Sequence, residues 1–124
     1  MKKENFAKRV LVVDDEENMV RLLYYILVRE GYEVSCARNG REGLKLFGES
    51  AWDVVVTDGT MPEMNGDEMA SLMRDAQPNI PIVLVSGMIR EFKSALFDAA
   101  LEKPFLSIDL LAMIEGIIAP PLKA

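Results

Sequence analysis

The chain has 124 residues, of which half are hydrophobic and 27% are charged, an ordinary composition for a soluble globular domain. This length allows one domain with a substantial core, so we expect residues 1–124 to form a single domain with its core at about 9–118. The formal net charge is −6. This acidity disfavours direct binding to nucleic acid or to an anionic membrane, both of which need basic patches, and it suits a cationic ligand.

The residue types that are rare or absent narrow the possible chemistry further. A single cysteine, Cys36, excludes an intrachain disulfide framework and a cysteine metal cluster. Histidine is absent, which leaves carboxylates, hydroxyls and amines as reactive groups. The segment 1–9 is charged and lacks the apolar centre of a signal peptide, and no apolar run reaches membrane-spanning length. We therefore expect a cytoplasmic protein.

Short apolar runs alternate with segments of helical spacing along the chain. The runs predict strands at 10–13, 32–36, 52–58, 80–85 and 100–102. The spacing predicts helices at 16–30, after Asn39-Gly40, around 69–73, more weakly at 88–98, and at 107–118, the last ended by Pro120-Pro121. Leu22 and Leu72 are counted among the inward residues of their helices, and Gly31 stands where a left-handed C-cap belongs.

The alternation of strands and helices predicts the fold class. It is typical of an α/β protein with a doubly wound, five-stranded parallel sheet, right-handed crossovers and helices on both faces. The continuous apolar strands agree, because a parallel sheet is covered on both sides. The expected strand order is the flavodoxin-like 2-1-3-4-5, in which the first and third strands are neighbours.

Functional side chains stand at four predicted strand ends. Asp14 and Asp15 follow the first strand, Asp58 the third, Ser86 the fourth and Lys103 the fifth. Ligands of such sheets bind beyond the carboxyl ends of the strands, where the strand order reverses. Each residue alone could be an ordinary turn, cap or surface residue, but their joint placement at strand ends is hard to explain by chance.

These groups would suit a metal-assisted reaction of phosphate. Three clustered acids raise one another's pKa, and a hard divalent cation such as Mg²⁺, which prefers oxygen ligands, relieves the repulsion. A carboxylate beside a cation and a lysine can attack phosphorus while the positive charges neutralise the phosphoryl oxygens. Ser86 could donate a hydrogen bond to such an oxygen.

Five motifs resemble the receiver domain of two-component response regulators. They are VLVVDDE at 10–16, RNGREGL at 38–44, DGTMPEMNG at 58–66, VLVSG at 83–87 and KPF at 103–105. The resemblance implies that Asp58 is the phosphoacceptor, charged by a sensor histidine kinase, a phosphotransfer protein or a small acyl phosphate. It also implies Mg²⁺ binding by Asp15 and Asp58 directly, by Asp14 through water and by the backbone carbonyl of Thr60. Ser86 would be the switch hydroxyl and Lys103 its cationic partner.

Two departures from the family pattern concern the output of the signal. The segment between Ser86 and Lys103 is shorter than is usual, which predicts a short or irregular fourth helix. Ala100 stands where the family commonly has Tyr or Phe, so coupling through an aromatic rotamer at that position is excluded. The expected output is a change in a surface that binds an unknown protein target.

Two other functions remain as alternatives. A phosphorylation-independent interaction module would not need the full set of acids, hydroxyl and lysine. A phosphatase with an aspartyl-phosphate intermediate would want a second acid two residues after the nucleophile, where this chain has Thr60. The main expectation is therefore a signalling module rather than an enzyme.

Overall fold

The computed structural model describes residues 7–118 as five strands and four α-helices. The strands are β1 Arg9–Val13, β2 Glu33–Ala37, β3 Val54–Thr57, β4 Ile82–Ser86 and β5 Ala99–Glu102. The helices are α1 Glu17–Arg29, α2 Gly40–Glu49, α3 Gly66–Ala76 and α4 Ser107–Ile118. The prediction that Pro120-Pro121 ends the last helix lies outside the described residues.

All strand pairs are parallel, and the strand order is β2-β1-β3-β4-β5. This confirms the predicted doubly wound, flavodoxin-like sheet. The register pairs Val13 with Thr57 on β3, so the residues that follow these two strands leave the sheet side by side. Similarly, Ser86 of β4 is paired with Glu102 of β5, directly before Lys103.

Each face of the sheet is covered by two helices. On one face, Leu11, Val13, Val55 and Ile82 pack with residues of α2 and α3, including Phe47 and Met69. On the other face, the alternate strand residues pack with α1 and α4 in one cluster: Val10, Val12, Val54, Val56, Val83 and Val85 with Leu23, Ile26, Leu27, Leu110 and Ile114. The central strands are buried on both sides, which explains their unbroken apolar sequence.

Local signals determine where the helices begin and end. The Asn39 side chain accepts a hydrogen bond from the amide of Glu42 at the start of α2. Asn65 and Glu68 form a reciprocal capping box at the start of α3. After α1 the chain turns at Gly31 with φ 96°, a left-handed conformation that glycine adopts without strain, as predicted.

The prediction of a weak helix over 88–98 was wrong. The described chain there forms two single 3-10 turns, Ile89–Glu91 and Ser94–Leu96, with no buried residue in either. The expectation of a short or irregular fourth helix is confirmed in its irregular form. Twelve residues, 87–98, separate β4 from β5, and the chain spans them with two 3-10 turns rather than in a packed helix.

Two inward assignments were also wrong. Leu22 of α1 is 46% exposed and Leu72 of α3 is 47% exposed. The buried face of α1 is formed by Val20, Leu23, Ile26 and Leu27, which confirms three of the predicted residues and adds Val20. A helical stripe is wider than the surface that the sheet can cover, and residues at its margin remain in solvent.

Candidate functional site

The first part of the site is the turn that follows β1. The amide of Asp14 donates to the carbonyl of Ala37 on β2, and the Asp14 carboxylate Oδ1 accepts from the amide of Glu16 at 2.9 Å. Asp14 is 1% exposed, whereas Asp15 is exposed. The chain therefore holds one acid inside the sheet edge and presents the next one at its rim.

The second part is the end of β3. The amide of Asp58 donates to the carbonyl of Val13, which continues the β1–β3 pairing by one residue and places Asp58 beside Asp14. Asp58 is 9% exposed, and its carboxylate Oδ1 accepts from the amide of Gly59 at 2.8 Å. The acceptor loop, which we define as residues 58–65, closes back through a hydrogen bond from Gly66 to the carbonyl of Gly59.

The three acids converge on one volume. One carboxylate oxygen from each of Asp14, Asp15 and Asp58 lies within 4.8 Å of the other two. Lys103 approaches from β5, with its Nζ 3.5 Å from Asp14 Oδ2 and 3.5 Å from Asp58 Oδ1. Three carboxylates and one ammonium, when all are ionised, carry a charge of −2, which a divalent cation would balance.

Burial makes the cluster electrostatically costly. Desolvation raises the pKa of Asp14 from 3.8 to about 6, against the lowering effect of its hydrogen bond from Glu16 and with a further increase from Asp58. Desolvation also raises the pKa of Asp58, while the Lys103 ammonium and the Gly59 amide oppose the increase. The ionised cluster is thus only partly compensated by protein groups and would gain stability from an added positive charge.

The residues fit a magnesium ion. Within the described part of the chain, Asp14 Oδ2 is buried and accepts no hydrogen bond, although Lys103 lies 3.5 Å away. A buried carboxylate oxygen without a donor is expensive unless something else approaches it. The donor atoms are all carboxylate oxygens, which a hard cation such as Mg²⁺ prefers, and one of the three acids is open to solvent, where the ion could keep water ligands.

The two remaining predicted site residues lie at the end of β4 and in the acceptor loop. Ser86 is 3% exposed at the end of β4, and its Oγ accepts from the amide of Met88 at 3.2 Å, so the hydroxyl is engaged with its own turn. The carbonyl of Ser86 accepts from the amide of Lys103, which fixes these two strand ends together. Thr60 is exposed in the acceptor loop, and metal binding by its carbonyl stays a prediction.

One residue beside the site was missed by sequence reasoning. The ring of Phe92 lies directly on Gly59, so closely that a Cβ atom added to the glycine would stand 2.4 Å from Phe92 Cζ. Phe92 follows the first 3-10 turn, 33 positions after Gly59, and no local pattern connects them. The glycine directly after Asp58 was the available signal, since it leaves room for a side chain from elsewhere.

The comparisons agree with this geometry. The model of the response regulator receiver domain family matches residues 10–115. The chain is 34% identical over 116 residues to the alkaline phosphatase synthesis transcriptional regulatory protein PhoP of Bacillus subtilis, an alignment that covers 90% of this chain and 48% of PhoP. It is 43% identical over 83 residues to the chemotaxis protein CheY of Thermotoga maritima, covering 66% of this chain and 69% of CheY.

Solved structures show the same similarity. The response regulator TrrA of Thermotoga maritima, in complex with Mg²⁺ and BeF, superposes with a TM-score of 0.84 at 34% identity, covering 89% of this chain and 98% of TrrA. This chain spans about half the length of PhoP, so the activity of that whole protein does not transfer to it. Within residues 7–118, no helix combines the length and apolarity needed to cross a membrane. On the match over residues 10–115, the chain belongs to the response regulator receiver domain family of two-component systems.

Proposed function

We propose that this chain accepts a phosphoryl group on Asp58 in a Mg²⁺-dependent reaction, and that the modification switches a surface that binds another protein. The donor is the phosphohistidine of a sensor histidine kinase or of a phosphotransfer protein. The observation that carries the proposal is the convergence of three carboxylates and Lys103 at one sheet edge, with a buried oxygen of Asp14 left without a hydrogen-bond donor.

Asp58 is the nucleophile. Its Oδ1 is occupied by the Gly59 amide and lies near Lys103, which leaves Oδ2 to attack the phosphorus atom. The new bond joins Oδ2 to phosphorus, and the bond between phosphorus and the donor's imidazole nitrogen breaks, with its electron pair retained by the imidazole. The buried backbone around Asp58 fixes the direction of attack, which reduces the entropic cost of the reaction.

Lys103 and Ser86 act on the phosphoryl oxygens. The Lys103 ammonium already lies 3.5 Å from the acceptor carboxylate and would stabilise the negative charge that arrives with the phosphoryl group. Ser86 would exchange its hydrogen bond with the Met88 amide for one in which its hydroxyl donates to a phosphoryl oxygen. The first residue supports the chemistry, and the second converts it into a movement of the chain.

Asp14, Asp15 and Asp58, with the carbonyl of Thr60, are the residues that would hold Mg²⁺, with Asp14 acting through water. When bound, the ion supplies positive charge that neutralises the carboxylates and the transferred phosphoryl group. The raised pKa of Asp14 supports this assignment, because a group that resists ionisation in the free protein gains from a nearby cation.

The partners follow from the same chemistry. The donor must present a phosphorylated histidine to the acidic edge, and the recipient of the signal is a protein target that distinguishes the two states of the chain. The net charge of −6 disfavours direct contact with nucleic acid. Names such as transcriptional regulatory protein and chemotaxis protein among the relatives belong to proteins whose outputs differ, so they do not select one target.

Labelling with radioactive acetyl phosphate tests the proposal. The wild-type chain should be labelled in Mg²⁺ and not in EDTA, and Asp58→Asn should abolish labelling. Asp75→Asn is the matched control, since it removes an exposed acid of α3 and should leave labelling unchanged. Undiminished labelling of Asp58→Asn would overturn the assignment of the acceptor, and a wild-type chain that is never labelled would favour a phosphorylation-independent interaction module.

A further inference from the structure

The contact between Phe92 and Gly59 joins the acceptor loop to a distant segment of the chain. The ring edge occupies the space that a side chain at position 59 would need, with three ring atoms within 2.9 Å of the ideal Cβ position. Gly59 is the residue directly after Asp58, and its amide donates to the Asp58 carboxylate. A shift of the acceptor loop at Gly59 would therefore act on the Phe92 ring.

The segment that carries Phe92 is held at two points. Before the ring, the amide of Met88 donates to Ser86 Oγ. After it, the amide of Lys93 donates to the Asp67 carboxylate of α3 at 3.2 and 3.3 Å, long distances for such bonds. Between these points lies one 3-10 turn with no buried residue. Few contacts thus oppose a movement of this stretch.

The Phe92 side chain also borders a cavity. It has a volume of about 500 Å³. Besides Phe92 and Ala100, its walls include the apolar residues Leu84, Ile89, Phe97 and Ala99 and the polar residues Arg90, Ser94 and Asp98. Ala100 contributes only a methyl group, and so the space beside β5 stays open and mainly apolar. A phenyl ring that left Gly59 would find an apolar site within the reach of its own side chain.

We infer that Phe92 is a positioning residue whose ring has two positions. It lies on Gly59 in the unphosphorylated chain and in the cavity beside Ala100 when Asp58 is phosphorylated. The inference rests on the proposed function. Once the Ser86 hydroxyl turns to the phosphoryl group, the Met88 amide loses its acceptor, the turn Ile89–Glu91 is released, and the ring exchanges its contact with Gly59 for the cavity. The surface between α3 and β5 changes as a result.

Fluorine NMR on the full chain measures the ring directly. All phenylalanines are replaced by 4-fluorophenylalanine, and the Phe92 resonance is assigned by its loss in Phe92→Leu. Beryllofluoride with Mg²⁺ is the probe, and thermal stabilisation of the same sample reports whether it binds. The Phe92 resonance should move on addition of the probe, while that of Phe47, a buried residue of α2, should stay in place.

Two variants test the two positions of the Phe92 ring separately. Gly59→Ala adds a methyl group where the ring now lies, so the Phe92 resonance should be displaced before any probe is added and should respond less to it. Ala100→Leu places a larger apolar side chain in the cavity beside β5, and this variant should still be stabilised by the probe but lose most of the Phe92 shift.

The outcomes distinguish the inference from the function on which it rests. Thermal stabilisation of the wild type with an unmoved Phe92 resonance would overturn the inference that the ring has two positions and would leave the proposed function intact. Full retention of the Phe92 shift in Ala100→Leu would do the same, because the ring would then be moving elsewhere. Absence of both stabilisation and acetyl phosphate labelling in the wild type would overturn the proposed function and this inference with it.

Discussion

Two connections leave the same edge of the sheet and are built very differently. The connection from β3 to α3 carries Asp58, buries Met61, and ends in a capping box with Gly66 packed against the acceptor loop. The connection from β4 to β5 begins at Ser86 and consists of two 3-10 turns without side-chain caps. Both start at a proposed site residue, but only the first is fixed by close packing.

The difference separates two tasks within one site. A nucleophile has to be held in a fixed direction, and dense contacts surround Asp58, the proposed nucleophile. A responding element has to move at low cost, and a stretch with exposed turns and long hydrogen bonds can do so. Near β5 the second connection is fixed by Arg74, which forms a salt bridge with Asp98 at 2.7 Å and donates to the carbonyl of Leu96. We therefore expect movement only in the first half of this connection.

The largest effect is expected when a methyl group is added to each connection, because this tests how densely each one is packed. A Cβ at Gly66 would lie 2.7 Å from the backbone oxygen of Asp58, so Gly66→Ala should lower the free energy of unfolding by about 2 kcal/mol through overpacking. A Cβ at Gly87 meets no atom within 4 Å, and Gly87→Ala should change stability by less than about 0.5 kcal/mol. Urea unfolding of both variants measures the difference.

Labelling by acetyl phosphate can be measured in the same two variants, Gly66→Ala and Gly87→Ala. Because Gly66 packs on Asp58 and Gly59, its substitution should also slow labelling by acetyl phosphate. Equal stability of the two alanine variants would contradict the view that the first connection is the densely packed one.

Magnesium should act on the first connection and not on the second. If Mg²⁺ binds only the folded chain, a concentration ten times its dissociation constant adds about 1.4 kcal/mol to the free energy of unfolding. Asp15→Ala should remove most of this gain, and Asp75→Ala, which deletes an exposed acid away from the cluster, should keep it. Thermal melts with and without Mg²⁺ give the comparison.

The location of the effect can be tested in the same samples. Amide exchange should slow in the acceptor loop and the turn after β1 when Mg²⁺ alone is added, with little change in 88–92. A gain in stability that survives Asp15→Ala would place the ion elsewhere.

In the absence of metal, acid should stabilise the chain. The pKa of Asp14 is raised to about 6 in the folded state and returns to 3.8 on unfolding, so the folded chain binds the extra proton and its stability falls as the pH rises through about 6. Lowering the pH from 7 to 5 in EDTA should therefore raise the free energy of unfolding by about 1 kcal/mol through Asp14. The raised pKa of Asp58 acts in the same direction.

Asp14→Asn is the control for this pH effect. The variant should be more stable than wild type at pH 7, since it removes a buried charge, and should show a smaller gain on acidification. A metal-free wild type that loses stability between pH 7 and pH 5 would show that other groups outweigh the buried acids.

The sheet and the acid cluster were predictable because their signals are local. A short continuous run of β-branched residues such as Val54–Thr57 is typical of a strand covered on both faces, and the residue after such a strand leaves at its carboxyl end. Once the strand order is known, Asp14 and Asp58 have to be neighbours. The hydrogen bond from the Asp58 amide to the Val13 carbonyl shows this. Prediction succeeded where chain position alone determines spatial position.

The other features depend on which surfaces the fold leaves free. The apolar residues of 88–98 suggested a helix, but Phe92 packs on Gly59 and Leu96 packs on the α3 side of the core. Leu22 and Leu72 have the correct spacing for inward positions yet lie beyond the surface that the sheet covers. Tertiary packing determines both the contact between Phe92 and Gly59, which are 33 positions apart, and the width of the buried faces of α1 and α3. A single sequence carries no periodic signal for either.

The smallest expected effect compares the helix cap of the first connection with the turn of the second. The Asn65 side chain accepts from the Glu68 amide at 2.9 Å, and the Asn65 amide donates to the Glu68 carboxylate at 3.1 Å. Asn65→Ala removes the first of these bonds and should cost about 1 kcal/mol. Ser94 opens a 3-10 turn that has no side-chain cap, and Ser94→Ala should fall within about 0.5 kcal/mol of wild type. Chemical denaturation resolves such a difference when both variants share the wild-type m-value. If Ser94→Ala proved the more damaging change, the β4–β5 connection would be held by its own side chains, and the low-cost movement assigned to it would lose its basis.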